Sequence, residues 1–347
     1  MTKDRTESGS TSSKGATALE IVICTYNRAS DLDLCLSALA RQKADPHVWR
    51  VTVIDNNCTD ATPQVVERWA ATGRLPGLVR VTEPLQGLTP ARQRGVRSSR
   101  ADWIALVDDD CMVSPDWISE ALRFGLDHPE AGAFGGRVRP NWGGTAPAHL
   151  ARNGWLFAEQ DHGHAIREVD SLVGAGVVLN RRWLNATGWT SHPLLADRMA
   201  KGHTSGGDVE ISLRLRISGH ALFYVPSMSI EHLIAPSRQR VLQSLGLARG
   251  LGAGAELINL MCAEDQARWL ATAPARLRLE ISQHIAGLPL SVLRRTFGWD
   301  WIIRAAFLVG QRDQARLLQA DAAARSHLAG MCAEGSSDKE RFTRGGS

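Results

Sequence analysis

Trp103-Ile104-Ala105-Leu106-Val107-Asp108-Asp109-Asp110 sets a continuous apolar run directly against three carboxylates. A short uninterrupted apolar run is the pattern of a strand covered on both faces, as in a mainly parallel sheet with helices on either side. Open α/β sheets place their ligands at the carboxyl ends of such strands, which is where Asp108, Asp109 and Asp110 fall. Adjacent carboxylates repel one another and resist desolvation unless a cation compensates them. Mn²⁺ or Mg²⁺, hard cations that take oxygen ligands, would do so. A solvated acidic turn ahead of a helix starting near Pro115 is the other explanation, and the triplet taken alone does not choose between them.

Leu19 to Thr25, Arg50 to Asn56 and Leu78 to Glu83 repeat the strand pattern, with helix-like stretches at Leu32 to Arg41, Pro63 to Thr72 and Pro90 to Ser98. Strand and helix alternate every 25 to 30 residues or so, the rhythm of βαβ units. The first half is therefore a nucleotide-fold-like, mainly parallel α/β layer. It lacks the glycine fingerprint of a dinucleotide-binding strand-to-helix turn and has no P-loop. Less regular strands follow at Gly132 to Val138, Leu172 to Leu179, Ala221 to Val225 and Met228 to His232, the pattern of a mixed edge facing a second substrate. After Pro236 the periodicity is helical, over Val241 to Met261, Ala275 to Ala286, Trp301 to Val309 and Gln314 to Ala323. The expected organisation is a tail at 1–17, a catalytic domain at 18–235, a helical appendage at 236–333 and a second tail at 334–347.

Composition narrows the function classes. With 347 residues, 44% hydrophobic and 22% charged, the chain can bury a large core. The net charge is +4, and from Leu233 onward fifteen Lys or Arg face ten Asp or Glu, so that region alone carries +5. This surplus is too diffuse for nucleic-acid binding, which calls for a concentrated basic face on a recognisable module. No apolar run approaches the roughly 20 residues of a membrane span, and Met1 to Ala18 has no apolar centre, so the expected location is cytoplasmic. The C-terminal helices remain available to the inner membrane face, a second protomer or an acceptor carrier. Cys24, Cys35, Cys58, Cys111, Cys262 and Cys332 show no C-x-x-C spacing and are expected to be reduced thiols.

Five segments, in order, resemble the family 2 glycosyltransferases of the GT-A fold, over about residues 19–235. Ile21-Val22-Ile23-Cys24-Thr25-Tyr26-Asn27-Arg28 is similar to the family's opening strand and loop, which puts Thr25, Asn27 and Arg28 on the donor side. Val53-Ile54-Asp55-Asn56-Asn57-Cys58-Thr59-Asp60 resembles its second strand, whose Asp, here Asp55, helps hold the nucleotide base. Gly87-Leu88-Thr89-Pro90-Ala91-Arg92-Gln93-Arg94-Gly95 resembles a donor-side segment in which Arg92 is a contact and Gln93 replaces the usual Asn. Asp108-Asp109-Asp110 matches the D-x-D element: the resemblance implies a metal on Asp110 and Asp108, with Asp108 and Asp109 also near the donor ribose. Gly206-Gly207-Asp208-Val209-Glu210-Ile211-Ser212-Leu213-Arg214 resembles the stretch that carries the catalytic base, which maps onto Asp208, with Gly207 where Glu is common. His232 falls where some members have a further metal ligand.

The resemblance also places Gly174, Gly176 and Glu210 on the acceptor side, and Trp189 is expected there as an aromatic face suited to a sugar ring. Asp208 has a plain structural alternative, since an Asp at that point also suits a helix N-cap. The implied function is transfer of a sugar from a nucleotide-diphosphate donor, UDP-linked, to a hydroxyl acceptor, with a divalent cation, Asp208 as base and inversion of the anomeric centre. A metal-dependent phosphohydrolase or nucleotidyltransferase, and a non-catalytic sugar-nucleotide or glycan-binding module, are the rival readings.

Overall fold

Alternate residues of the central strands enter two different cores, which is why those strands read as unbroken apolar runs. In β1 (Leu19–Thr25), Leu19, Ile21 and Ile23 join one apolar cluster and Val22 the other; in β4 (Trp103–Asp108), Trp103, Ala105 and Val107 separate in the same way from Ile104 and Leu106. The first cluster is closed by α1 (Ala29–Leu39), α2 (Thr62–Ala71) and α4 (Trp117–Asp127), the second by α3 (Leu88–Ser98), α5 (Arg181–Ala186) and α6 (Gly207–Ile217). These elements belong to a computed structural model that describes residues 17–195, 205–263, 265–288 and 298–320. The expected tails, apart from residue 17, lie outside the described residues.

Among the described residues, the main sheet has the order β3-β2-β1-β4-β9-β6-β10-β8, where β2 is Trp49–Asp55, β3 Val79–Thr82, β6 Ala133–Gly135, β8 Arg167–Glu168, β9 Val177–Asn180 and β10 Leu222–Tyr224. Strands β3, β2, β1 and β4 are parallel. Strand β9 runs antiparallel to both β4 and β6. This reversal brings the residues before β9 to the carboxyl end of β4, where Gly176 N–H donates to Leu106 O at 2.8 Å. A smaller sheet has the order β5-β11-β7, from Cys111–Val113, Ile230–Leu233 and Val138–Asn141.

Two expected strands are divided. Gly132 to Val138 supplies β6 to one sheet and the start of β7 to the other; between them Gly136 approaches the Met228 carbonyl so closely that a Cβ would lie 1.6 Å from that oxygen. Leu172 to Leu179 is strand only from Val177, because Gly176 takes φ +84°, a left-handed conformation. Strand β5, within the segment expected to lead into a helix, is the converse case: its pairing partner β11 is far along the chain.

Helices α7 (Val241–Cys262), α8 (Gln266–Ala286) and α9 (Trp299–Ala320) follow. The two helices expected at Trp301 to Val309 and Gln314 to Ala323 are one continuous helix as far as Ala320, beyond which the residues are not described. Gly310 at the expected break is buried: a Cβ there would lie 1.9 Å from Arg249 O of α7, and at Gly252 of α7 2.0 Å from Phe307 O. Helix α8 starts at Gln266, earlier than Ala275, with the Asp265 carboxylate capping Arg268 N–H at 2.8 Å and Pro274 inside the helix. Among the described residues no helix is long and apolar enough to cross a membrane.

Candidate active site

Parallel pairing brings the carboxyl ends of three strands together: Thr25 of β1 lies opposite Asp55 of β2, and Cys24 opposite Asp108 of β4. A cleft opens above this edge, lined by Thr25, Tyr26, Arg28, Asn56, Asp108, Asp109, Asp110, His232 and Arg238, with Gly87 and Leu88 from the start of α3.

The three carboxylates have different environments. Asp109 accepts from the Thr25 hydroxyl at 2.8 Å and from Arg28 Nη1 at 2.8 Å. Burial pushes its carboxyl up to about 7, against the Arg28 charge and with repulsion from Asp110 adding to the rise. Asp110, buried beside it, accepts from Arg238 Nη1 at 2.6 Å and Arg28 Nη2 at 2.9 Å, with His232 Nε2 at 3.2 Å. Burial alone would raise this group, but the His232 hydrogen bond and the His232, Arg28 and Arg238 charges hold it well below the usual carboxylate range. Asp108 is more open and meets Arg92 Nη2 at 3.3 Å.

Strand pairing explains His232. Antiparallel β5 and β11 place it opposite Cys111, and Leu233 N–H donates to Asp110 O at 2.8 Å. Nδ1 lies 2.8 Å from Phe157 O. A carbonyl only accepts, so Nδ1 carries a proton and Nε2 is turned toward Asp110.

Among the described residues, Asp108, Asp110 and Cys111 offer ligand atoms within 4.8 Å of one another. Burial and the neighbouring Asp108 and Asp110 charges raise the Cys111 thiol well above its ordinary value, and hard cations take the carboxylate oxygens in preference to a thiol. Two carboxylates with an imidazole at Asp110 suit Mn²⁺ or Mg²⁺ rather than a soft metal.

Asp208 lies within the first turn of α6, which begins at Gly207, so it is not the N-cap residue. Its Oδ2 accepts Gly174 N–H at 2.7 Å and its Oδ1 accepts Val209 N–H at 3.0 Å. Gly174 fills the space between the Arg92 and Asp208 side chains: a Cβ there would lie 2.7 Å from Arg92 Nη2 and 3.2 Å from Asp208 Cβ. Contacts thus run from Asp108 through Arg92 and Gly174 to Asp208. Gly176 packs under this turn, where a Cβ would meet Ile230 and Trp117.

Other expected site residues organise the cleft from behind. Asp55 is buried and accepts from Cys58 N–H and Arg80 Nη1, both at 2.8 Å. Asn27, at φ +52°, accepts Thr59 N–H at 2.7 Å and so shapes the loop after β1.

Two acceptor-side assignments are corrected. Glu210 is wholly buried and accepts Leu194 N–H and Leu195 N–H, both at 2.8 Å, and Arg214 Nε at 2.7 Å; it anchors the 194–195 backbone and presents no free face to a ligand. Trp189, only 1% exposed, is a core residue packed with Ile211 and Leu215.

Sequence reasoning missed Arg238, which enters the cleft from the turn between β11 and α7. Its signal was a basic residue closely following His232, inside the cationic C-terminal region. Asn56, next to Asp55 at the end of β2, carries no such signal. Its Nδ2 donates to Glu83 O at 2.9 Å and Leu85 O at 2.7 Å, and its Oδ1 accepts Gly87 N–H at 2.8 Å, tying β2 to the start of α3.

The chain is similar in sequence and in fold to known proteins. The family model described as Glycosyl transferase family 2 matches residues 20–184. Succinoglycan biosynthesis protein ExoM of Rhizobium meliloti is 30% identical over 234 residues, 63% of this chain and 68% of that protein. Glucosyl-dolichyl phosphate glucuronosyltransferase of Haloferax volcanii is 23% identical over 222 residues, 62% of this chain and 68% of its own. Some other curated relatives are matched over only 32% and 42% of their lengths. The mannosyltransferase PcManGT of Pyrobaculum calidifontis, solved with GDP-Man and Mn²⁺, superposes with a TM-score of 0.59 at 18% identity over 88% of this chain and 87% of that one. A further neighbour, solved with UDP, GalNAc and Mn²⁺, has a TM-score of 0.54 at 12% identity over 76% of this chain and 51% of its own. With the matched strands forming the floor of the acidic cleft, the chain belongs to glycosyl transferase family 2 and is a glycosyltransferase of the GT-A fold.

Proposed function

We propose that the protein moves a glycosyl group from a nucleoside-diphosphate sugar of the UDP class to a hydroxyl acceptor, by one displacement that inverts the anomeric centre. The observation that carries this reading is the unbroken set of contacts from Asp108 through Arg92 and Gly174 to Asp208, which joins an anion-compensating cluster to a carboxylate on the other side of one turn. Neighbours of the same fold bind UDP or GDP-Man together with Mn²⁺, which supports both the donor class and the cation.

Asp108 and Asp110, with His232, would hold the cation, and Thr25, Asn27, Arg28, Asp55, Arg92 and Asp109 would form the donor side. A bound divalent cation supplies neutralisation of the charge that gathers on the departing diphosphate. Arg28 and Arg92 already face these carboxylates and add positive charge along the same wall. Gly174 N–H and Val209 N–H hold Asp208 by both oxygens, so the carboxylate is oriented before an acceptor arrives. As general base, Asp208 takes the acceptor hydroxyl proton as the new C–O bond forms.

The test is a panel of UDP- and GDP-sugars incubated with the purified protein and Mn²⁺, with released nucleotide read by mass spectrometry. Release from a UDP-sugar that falls by about 10²-fold or more in Asp208→Asn, with UDP affinity kept within about twofold, is the expected result. Metal-dependent nucleotide binding without any turnover across donors and acceptors would instead support a binding module. Wild-type turnover in Asp208→Asn would remove that residue from the base role.

A further inference from the structure

Three side chains from three separate segments converge on one oxygen, Asp110 Oδ2: Arg238 Nη1 donates at 2.6 Å, Arg28 Nη2 donates at 2.9 Å, and His232 Nε2 lies at 3.2 Å. A carboxylate oxygen has about two lone-pair sites, so this one is already crowded. A cation that takes the same oxygen as a ligand has to displace a donor. Arg28 also bridges Asp109 at 2.8 Å and Asp31 at 2.9 Å, and the His232 ring is fixed by Phe157 O at 2.8 Å. Arg238 reaches in from the turn between β11 and α7, with its guanidinium 5.5 Å from the Phe157 ring centre, and it lines the cleft.

Charge points the same way. Asp31, Asp108, Asp109 and Asp110 are faced by Arg28, Arg92 and Arg238, with His232 beside Asp110. A divalent cation entering alone would add positive charge beside arginines that already face these carboxylates. A diphosphate arriving with it would offset that added charge.

We propose that Arg238 is an exchange residue: it occupies Asp110 while no cation is bound, cedes that oxygen to the cation, and then pairs with the diphosphate of the donor. This rests on the reading of Asp108 and Asp110 as metal ligands. It makes cation and nucleotide binding mutually dependent, since each removes the penalty that the other meets, and such coupling is reciprocal between the two ligands. Arg238 acts here as a positioning and binding residue and takes no part in proton transfer.

The experiment titrates Mn²⁺ alone into wild type, Arg238→Gln and Arg238→Lys, reading free Mn²⁺ by electron paramagnetic resonance, and then titrates UDP calorimetrically at saturating Mn²⁺. Arg238→Gln is expected to bind Mn²⁺ alone about tenfold more tightly than wild type and UDP about tenfold more weakly. Arg238→Lys, which restores the charge, should return both affinities toward wild type. A damaged site would weaken both ligands together, so changes of the same sign overturn the exchange, as does no change in either. Asp110→Asn separates this result from the metal assignment. Equal Mn²⁺ binding by wild type and Arg238→Gln that is lost in Asp110→Asn keeps the metal assignment and overturns the exchange alone, whereas no Mn²⁺ uptake by any form, even with UDP, overturns both.

Discussion

Gly174 occupies a gap that no larger residue fits, because its missing Cβ would press on Arg92 and Asp208 at once. Gly174→Ala should therefore displace either the guanidinium or the carboxylate. Turnover is expected to fall by about 10²-fold, the scale of a small misplacement of a reacting group, with the melting temperature nearly unchanged. Steady-state kinetics beside a thermal melt checks this, and wild-type turnover would show that the packing does not position Asp208. At this scale the acidic triplet was legible because its signal is local, charge set directly against a buried run. The Arg238–Asp110 contact was not, since those residues are 128 apart in sequence. Glu210 and Trp189 misled for a related reason: a motif places residues near a site, but only packing decides which way each side chain turns.

Elements of the catalytic layer were legible as far as both faces of the sheet are covered, which makes each strand a continuous apolar run. Legibility ended where glycine allows close backbone approach, as at Gly136, Gly176 and Gly310, because those contacts are made with distant segments. Pro274 is a second instance. It has no N–H for the carbonyl of Leu270, and Gln319 Nε2 of α9 donates to that oxygen at 2.6 Å instead. Gln319→Leu removes this replacement donor and is expected to cost about 1 kcal/mol in denaturant unfolding. No measurable change would mean that water satisfies the carbonyl equally well.

Helices α7 and α8 are joined by Glu256, whose carboxylate accepts from Arg276 at 2.8 Å and from Trp269 Nε1 at 3.1 Å. Burial raises the Glu256 carboxyl, with the Arg276 charge only partly opposing it. A carboxyl whose value is higher folded than unfolded weakens the fold as pH climbs past the unfolded value, near 4.3 for glutamate. Glu256→Gln should match wild type in stability below that pH and become the more stable form toward neutrality. Urea titrations across that range provide the check, and a wild type that gains on the variant as pH rises would reverse the assignment.

For the whole molecule, the cleft gathers side chains from β1, β4, β11 and the turn before α7, so ligands seated there tie distant parts of the chain together. Binding to the folded state alone stabilises it by RT ln(1 + [L]/Kd). UDP with Mn²⁺ should therefore raise the melting temperature more than the two separate shifts added, and chelation with EDTA should remove the excess. Strictly additive shifts would mean that the two ligands do not share a site.

The proposed function requires that Asp110 hold a cation which in turn holds the nucleotide. Calorimetric titration of UDP into wild type and Asp110→Ala, each with and without Mn²⁺, tests it most directly. Mn²⁺ is expected to tighten UDP binding by about tenfold or more in wild type and to leave it unchanged in Asp110→Ala. Equal UDP affinity with and without Mn²⁺ in wild type, or a full metal effect surviving in Asp110→Ala, would contradict it.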